Sequence, residues 1–140
     1  MEKRYQIELT ETQLRLIADC VEDCHRFMGG QMDMGNTTSR LESCCELREE
    51  LYRLKHYVTP DLPYGASYGW NGGSCPNDFQ RKFIAQTYPI YREIRHFFVT
   101  QFPNSGGDWN VYKSDTLTCA EGGEPIKIKE IPTPTNVLIE

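Results

Sequence analysis

The stretch Pro76–Pro103, PNDFQRKFIAQTYPIYREIRHFFVTQFP, decides how the rest of the chain is read. It alone carries a basic excess: Arg81, Lys82, Arg92 and Arg95 stand against Asp78 and Glu93, in a chain whose net charge is −5. Asn77 is placed to cap a helix, with Gln80 at the capping-box position and apolar residues from Phe79 to Phe102. At 3.6 residues per turn, Arg81, Tyr88, Arg92 and Arg95 share a narrow sector, with His96 four residues after Arg92. Phe83, Ile90, Ile94, Phe97 and Phe98 lie mostly elsewhere and can face a core. Pro89 removes one backbone hydrogen bond and crowds the preceding turn. A kink or break is therefore predicted near Thr87–Tyr88, with two shorter helices as the alternative.

Working outward, residues 59–77 (TPDLPYGASYGWNGGSCPN) lead into that helix as one long loop. Three prolines stiffen it, glycines permit close backbone approach, and Tyr64, Tyr68 and Trp70 argue against disorder. A loop of this length in a folded domain is commonly functional. It delivers the chain to a helix N-terminus, where free N–H groups favour an anion.

Towards the N-terminus, Tyr5, Ile7 and Leu9 alternate with polar residues from Arg4, the period of a half-buried strand. Thr10 caps a first helix, with Gln13 completing the box and Leu14, Ile17, Val21, Cys24 and Met28 as its apolar seam; Gly29-Gly30 stops it. A second helix is predicted from Ser39 to just before Pro60, with Leu41, Cys44, Cys45, Leu47, Leu51, Leu54 and Val58 on its inner face. The short connection makes these two an antiparallel hairpin. Beyond Pro103, residues 109–119 and the alternating Pro125–Ile131 read as a β-hairpin around AEGGEP, joining the N-terminal strand. Residues 132–140 form an extended tail. The expected architecture is a single α+β domain over residues 1–140: a helical hairpin and a third, Pro-kinked helix on a small antiparallel sheet.

A length of 140 residues suits one core, and a pI near 5.2 argues against wrapping duplex nucleic acid. There is no apolar run long enough for a membrane span and no signal-peptide h-region, which reads as intracellular. The six cysteines are expected as thiols, with Cys20, Cys24, Cys44 and Cys45 as small buried residues at a helix–helix seam. Zinc bound by Cys20, Cys24 and His25 with Cys44 or Cys45 has no CxxC or HxxxH spacing behind it. The chain contains no Walker loop, GxGxxG, GxSxG or HExxH motif, so no catalytic residue and no cofactor is nominated.

What the residues do suggest is a binding site. Aromatic rings offer a nucleobase stacking faces worth about 1–3 kcal/mol each, and arginine grips phosphate bidentately. The bland alternative is that Tyr68 and Trp70 pack the core while Arg92 and Arg95 pair with neighbouring carboxylates. The layout of strand, helix ending in Gly29-Gly30-Gln31, second helix, Ser67–Trp70 loop and the helix bearing Tyr91-Arg92-Glu93-Ile94-Arg95-His96 resembles small bacteriophage accessory proteins. Within that group it is similar to the first-described Thoeris anti-defence family. The resemblance spans residues 5–100. Members of that family are homo-oligomeric sponges that capture cyclic ADP-ribose signals without cleaving them, and some hold cyclic oligonucleotides.

The resemblance implies a protein of the host cytoplasm that sequesters a cyclic nucleotide, as a homo-oligomer. Of the site it implies only that Arg92 and Arg95 hold phosphate; read from the residues themselves, Arg81 and Lys82 would add field, Tyr68, Trp70 or Phe79 would stack the base, and Asn71 or Asn77 would read its edge. His96, beside Arg92, reads as a ligand hydrogen bonder or a core residue rather than a general base. Two other classes stay open: an interaction module that covers a host protein with Tyr- and Trp-rich surface, and a small enzyme acting on the same nucleotides.

Overall fold

The computed structural model describes residues 2–102 and 111–134. Its helices are α1 (Glu11–Met28), α2 (Gly35–Thr38), α3 (Cys44–Arg53), α4 (Lys55–Val58) and α5 (Asp78–Gln101), with a 3₁₀ turn at Ala120–Gly122. α1 starts as its sequence dictates. The Gln13 amide donates to Thr10 Oγ1 while the Gln13 side chain accepts from the Thr10 amide, a complete capping box. At its other end the Gln31 amide donates to Arg26 O and the Gly30 amide to Phe27 O, with Gly30 at φ +103°. This is the paired closure that a left-handed glycine permits.

α5 is the long partner of α1. His25 meets Ile84 and Thr87, Asp19 and Glu22 meet Arg95, and Arg15 lies 3.9 Å over the Phe98 ring, so the two helices run antiparallel. Ala18, Ile94 and Phe98 are buried between them, with Leu14, Ile17, Ile90 and Phe97 around. A second cluster of Tyr68, Cys75 and Ile84, with Met28 and Leu62, fixes the 59–77 loop against the start of α5. Gln80 does not complete a capping box. Asn77 accepts from its amide at 2.8 Å, but the Gln80 side chain donates to Met28 O and Val58 O, tying three segments together.

Four expectations are corrected. The α+β architecture does not form: among the described residues there is no strand, and the chain is helical with extended connections. Alternation makes a strand only when a neighbour supplies the ladder hydrogen bonds. The N-terminal segment finds none; Tyr5 and Ile7 are 83% and 75% exposed, and a bidentate contact from Arg4 to Glu124 ties it down. Ile126 and Ile128 use their alternation to cover the α1–α5 core without pairing. Of the expected 109–119 arm, Trp109 and Asn110 lie outside the described residues, as does the tail beyond 134.

The helical hairpin is also replaced. Residues 39–43 are turn, the second helix divides at Leu54, and no α3 residue is buried. α5 takes the place beside α1 because it offers both a longer apolar face and a guanidinium to meet Asp19 and Glu22. α5 itself is continuous through Pro89 rather than two helices. His25 Nδ1–H donates to Ile84 O at 2.9 Å one turn before the proline, and Thr87 Oγ1 donates to Phe83 O at 2.7 Å. Finally, Cys20, Cys24 and Cys45 are exposed rather than seam residues. Among the described residues no three His, Cys, Asp or Glu side chains converge as a metal site.

Candidate functional site

The arginine stripe is built into the fold. Arg95 donates from Nε and Nη2 to Glu22 Oε1 at 3.1 and 3.0 Å, and from Nη2 to Asp19 at 2.7 Å. Burial works against both charges, yet Arg95 and Arg26 hold the Glu22 carboxyl below its usual range. Arg92 meets oxygens of residues 111–114: Val111 O at 2.7 Å, Tyr112 O at 3.2 Å, and Ser114 O and Oγ at 3.1 Å. His96 Nδ1–H donates to Tyr112 O at 2.7 Å. Arg81 pairs with Asp78 at 2.5 Å and Glu121 at 2.9 Å. The polar sector of α5 is thus the seat of the C-terminal segment and of α1's acids.

The loop residues go elsewhere. Tyr68 is buried and its hydroxyl donates to Asp61. Trp70 packs 4.8 Å from the Tyr88 ring. Asn71 accepts from the Gly73 amide, closing its own turn, and Phe79 is exposed beside Phe83. The structure brings Arg92 and His96 together at Tyr112. It does not bring the eight nominated residues into one pocket.

A concavity does exist, built from residues none of which was nominated as a binding residue from the sequence. Cys45, Arg48, Glu49 and Tyr52 recur at three and four residues along α3 and form one wall. Gly30 and Gln31 of the turn after α1, and Tyr64–Ser67 of the loop, form the others, enclosing about 610 Å³. That volume falls in the range of small-molecule sites. The Tyr68 amide donates to Gly29 O at 2.9 Å and the Ala66 amide to Pro63 O at 3.0 Å, which stitches loop to turn.

Inside it, the Tyr52 and Tyr64 rings stand 5.7 Å apart at 51°, and the Arg48 guanidinium lies 5.8 Å from the Tyr52 centroid. Tyr52 donates to Asp33 at 2.5 Å, and burial together with this carboxylate raises its pKa. Arg48 touches Asp33 at 3.5 Å while staying mostly exposed. Past Tyr52 and Gln31 the groove continues into a smaller hollow of about 360 Å³ bordered by Arg26, Asp33 and Asn36. There Asp23 accepts four hydrogen bonds from Asn36 and Thr37 and pins α2 in place. The spacing of Arg48 and Tyr52, one helical turn apart, was the available signal. The wall opposite them was not predictable from local sequence.

The chain matches no known protein family, no curated protein and no solved structure. No helix among the described residues is long and apolar enough to cross a membrane.

Proposed function

We propose that the protein binds and holds a small nucleotide-type ligand in the groove between α3, the Gly30–Gln31 turn and the 64–67 loop. The observation that carries this is the pair of tyrosine rings, Tyr52 and Tyr64, with the Arg48 guanidinium beside them in a hollow of suitable volume. Rings of this kind accept a nucleobase, and an arginine on the rim accepts its phosphate. That the nucleotide is a cyclic immune signal, that the protein is a phage anti-defence sponge in the host cytoplasm, and that copies assemble are proposals that rest on the sequence resemblance alone, through its Ser67–Trp70 loop and the Tyr91–His96 stretch; the strand and helical hairpin of that layout do not form. The phosphate-gripping role passes from Arg92 and Arg95 to Arg48, because the former pair are buried against their partners whereas Arg48 stays mostly exposed.

The second reading, an interaction module, is favoured by the exposure of Tyr57 and Phe79, large rings of the kind that anchor interfaces. One assay separates them. The protein is screened against cyclic nucleotides by thermal shift, then denatured and the ligand recovered. The groove reading expects a shift, intact ligand, and loss of the shift in Tyr52→Ala, Tyr64→Ala and Arg48→Ala. A shift that survives all three substitutions rejects the groove; no shift with any nucleotide leaves the interaction module; altered ligand makes it an enzyme.

A further inference from the structure

Lys55 opens α4 and is 3% exposed. Its ammonium has three protons to place. It donates to Thr59 Oγ1 at 2.8 Å and to Pro63 O at 3.3 Å, both neutral acceptors. Among the described residues no carboxylate forms an ion pair with it. Asp61 attracts it from farther away, and that carboxylate already accepts the Tyr68 hydroxyl. A buried cation served by neutral acceptors is costly to keep, and burial accordingly lowers its pKa.

Its position explains what the charge is for. A Cβ added at Gly30 would stand 3.3 Å from Lys55 Nζ and 3.3 Å from Ala66 O. Gly30 and Ala66 both line the groove, and Pro63, whose carbonyl the ammonium meets, leads directly into its Tyr64–Ser67 wall. The charge therefore lies about one layer of backbone beneath the groove, shielded from water.

We propose that Lys55 is the buried counter-charge of an anion seat in the groove floor, which holds a phosphate or diphosphate group over Gly30 and Ala66. The identity of the remainder of the ligand rests on the groove reading above. A cation under a thin, dry floor acts on an anion through a low effective dielectric, so it attracts more strongly than a surface lysine. Arg48 completes the seat from the rim. A lysine that served merely to rivet the 59–63 turn would alter stability without distinguishing phosphorylated from unphosphorylated ligands.

The test uses the full chain, with calorimetry at constant ionic strength and three probes: inorganic pyrophosphate, adenosine diphosphate and adenosine. Lys55→Met keeps the aliphatic stem and removes the charge. The expected result is pyrophosphate binding to the parent, at least tenfold weaker in Lys55→Met, the same loss for adenosine diphosphate, and no change for adenosine. Equal pyrophosphate affinity in parent and variant, or none in the parent, overturns the seat. Should the variant fail to fold, nitrogen NMR of Lys55 Nζ in the parent decides: saturating pyrophosphate moves its titration to higher pH, and an unmoved titration overturns the seat. Failure of the groove reading looks different. Adenosine then binds nowhere and Tyr52→Ala leaves adenosine diphosphate affinity intact, while the pyrophosphate result stands.

Discussion

Arg95 and Glu22 meet through a single oxygen: both Nε and Nη2 of the guanidinium reach Glu22 Oε1, at 3.1 and 3.0 Å. The other oxygen, Oε2, accepts from Arg26 Nε at 3.0 Å and from the Tyr112 hydroxyl at 3.2 Å. Glu22 thereby joins α1, α5 and the C-terminal segment in one buried polar layer. The cost of taking these charges out of water is offset only while every donor and acceptor is matched.

Removing one partner strands the others. Arg95→Ala leaves Asp19 without its cation and Glu22 with Arg26 alone, and stability is expected to fall by about 3–5 kcal/mol. Urea denaturation followed by circular dichroism measures this. A midpoint unchanged from the parent would show that the layer contributes nothing net.

Arg92 acts on a segment rather than on the whole fold. Its contacts to Val111, Tyr112 and Ser114 hold residues 111–114 on α5, so Arg92→Ala should release that segment and cost about 1.5–3 kcal/mol. Hydrogen exchange should accelerate at 111–114 while α1 amides keep their order of protection. Unaltered exchange at 111–114 would place the anchor elsewhere.

His25 gives the fold an acid-sensitive element. Burial lowers its pKa from 6.5 to about 4, opposed by its hydrogen bond to Ile84 O. The unfolded chain binds a proton between these values and the folded one does not, so stability is complete above pH 6.5 and is lost as pH falls towards 4. The loss is on the order of 3 kcal/mol. Glu22, whose folded pKa lies below 4.5, adds a further loss as pH falls beneath that value. Unfolding free energy measured from pH 7 to 4 should decline with most of its slope between pH 6.5 and 4; a flat profile there contradicts the buried neutral imidazole.

Gly30 and Gly65 form a matched pair of groove glycines. Gly30 sits at φ +103° and an added Cβ would come 2.9 Å from Thr59 Cγ2 and close on the Ala66 carbonyl, whereas Gly65 has open space around it. Gly30→Ala is expected to cost about 1–3 kcal/mol from backbone strain alone. Gly65→Ala should stay within about 0.5 kcal/mol of the parent. Comparable melting temperatures for the two variants would remove the case for a strained turn at the groove floor.

What could be read without coordinates was local. Thr10 and Gln13 announce the start of α1, Asn77 that of α5, and the Gly29–Gly30 pair the end of α1, because each satisfies backbone groups within a few residues of itself. The failures were questions of partnership. Tyr5, Ile7 and Leu9 have strand periodicity, yet periodicity says nothing about whether another segment will supply a ladder. The spacing of Arg92 and Arg95 showed a guanidinium face but not whether phosphate, carbonyl or carboxylate would meet it.

The same division governs the groove. The three-and-four spacing of Cys45, Arg48, Glu49 and Tyr52 was present in the sequence, though Cys45 was expected on an inner apolar face instead, and Gly30 was expected to end α1. Only the tertiary structure decided that this face looks across at Tyr64–Ser67, and that the Lys55 ammonium is buried beneath Gly30. Helical phase is set by neighbours three and four residues away, whereas the partner of a charged side chain is chosen by which distant acids and carbonyls the packed chain brings within about 3 Å of it.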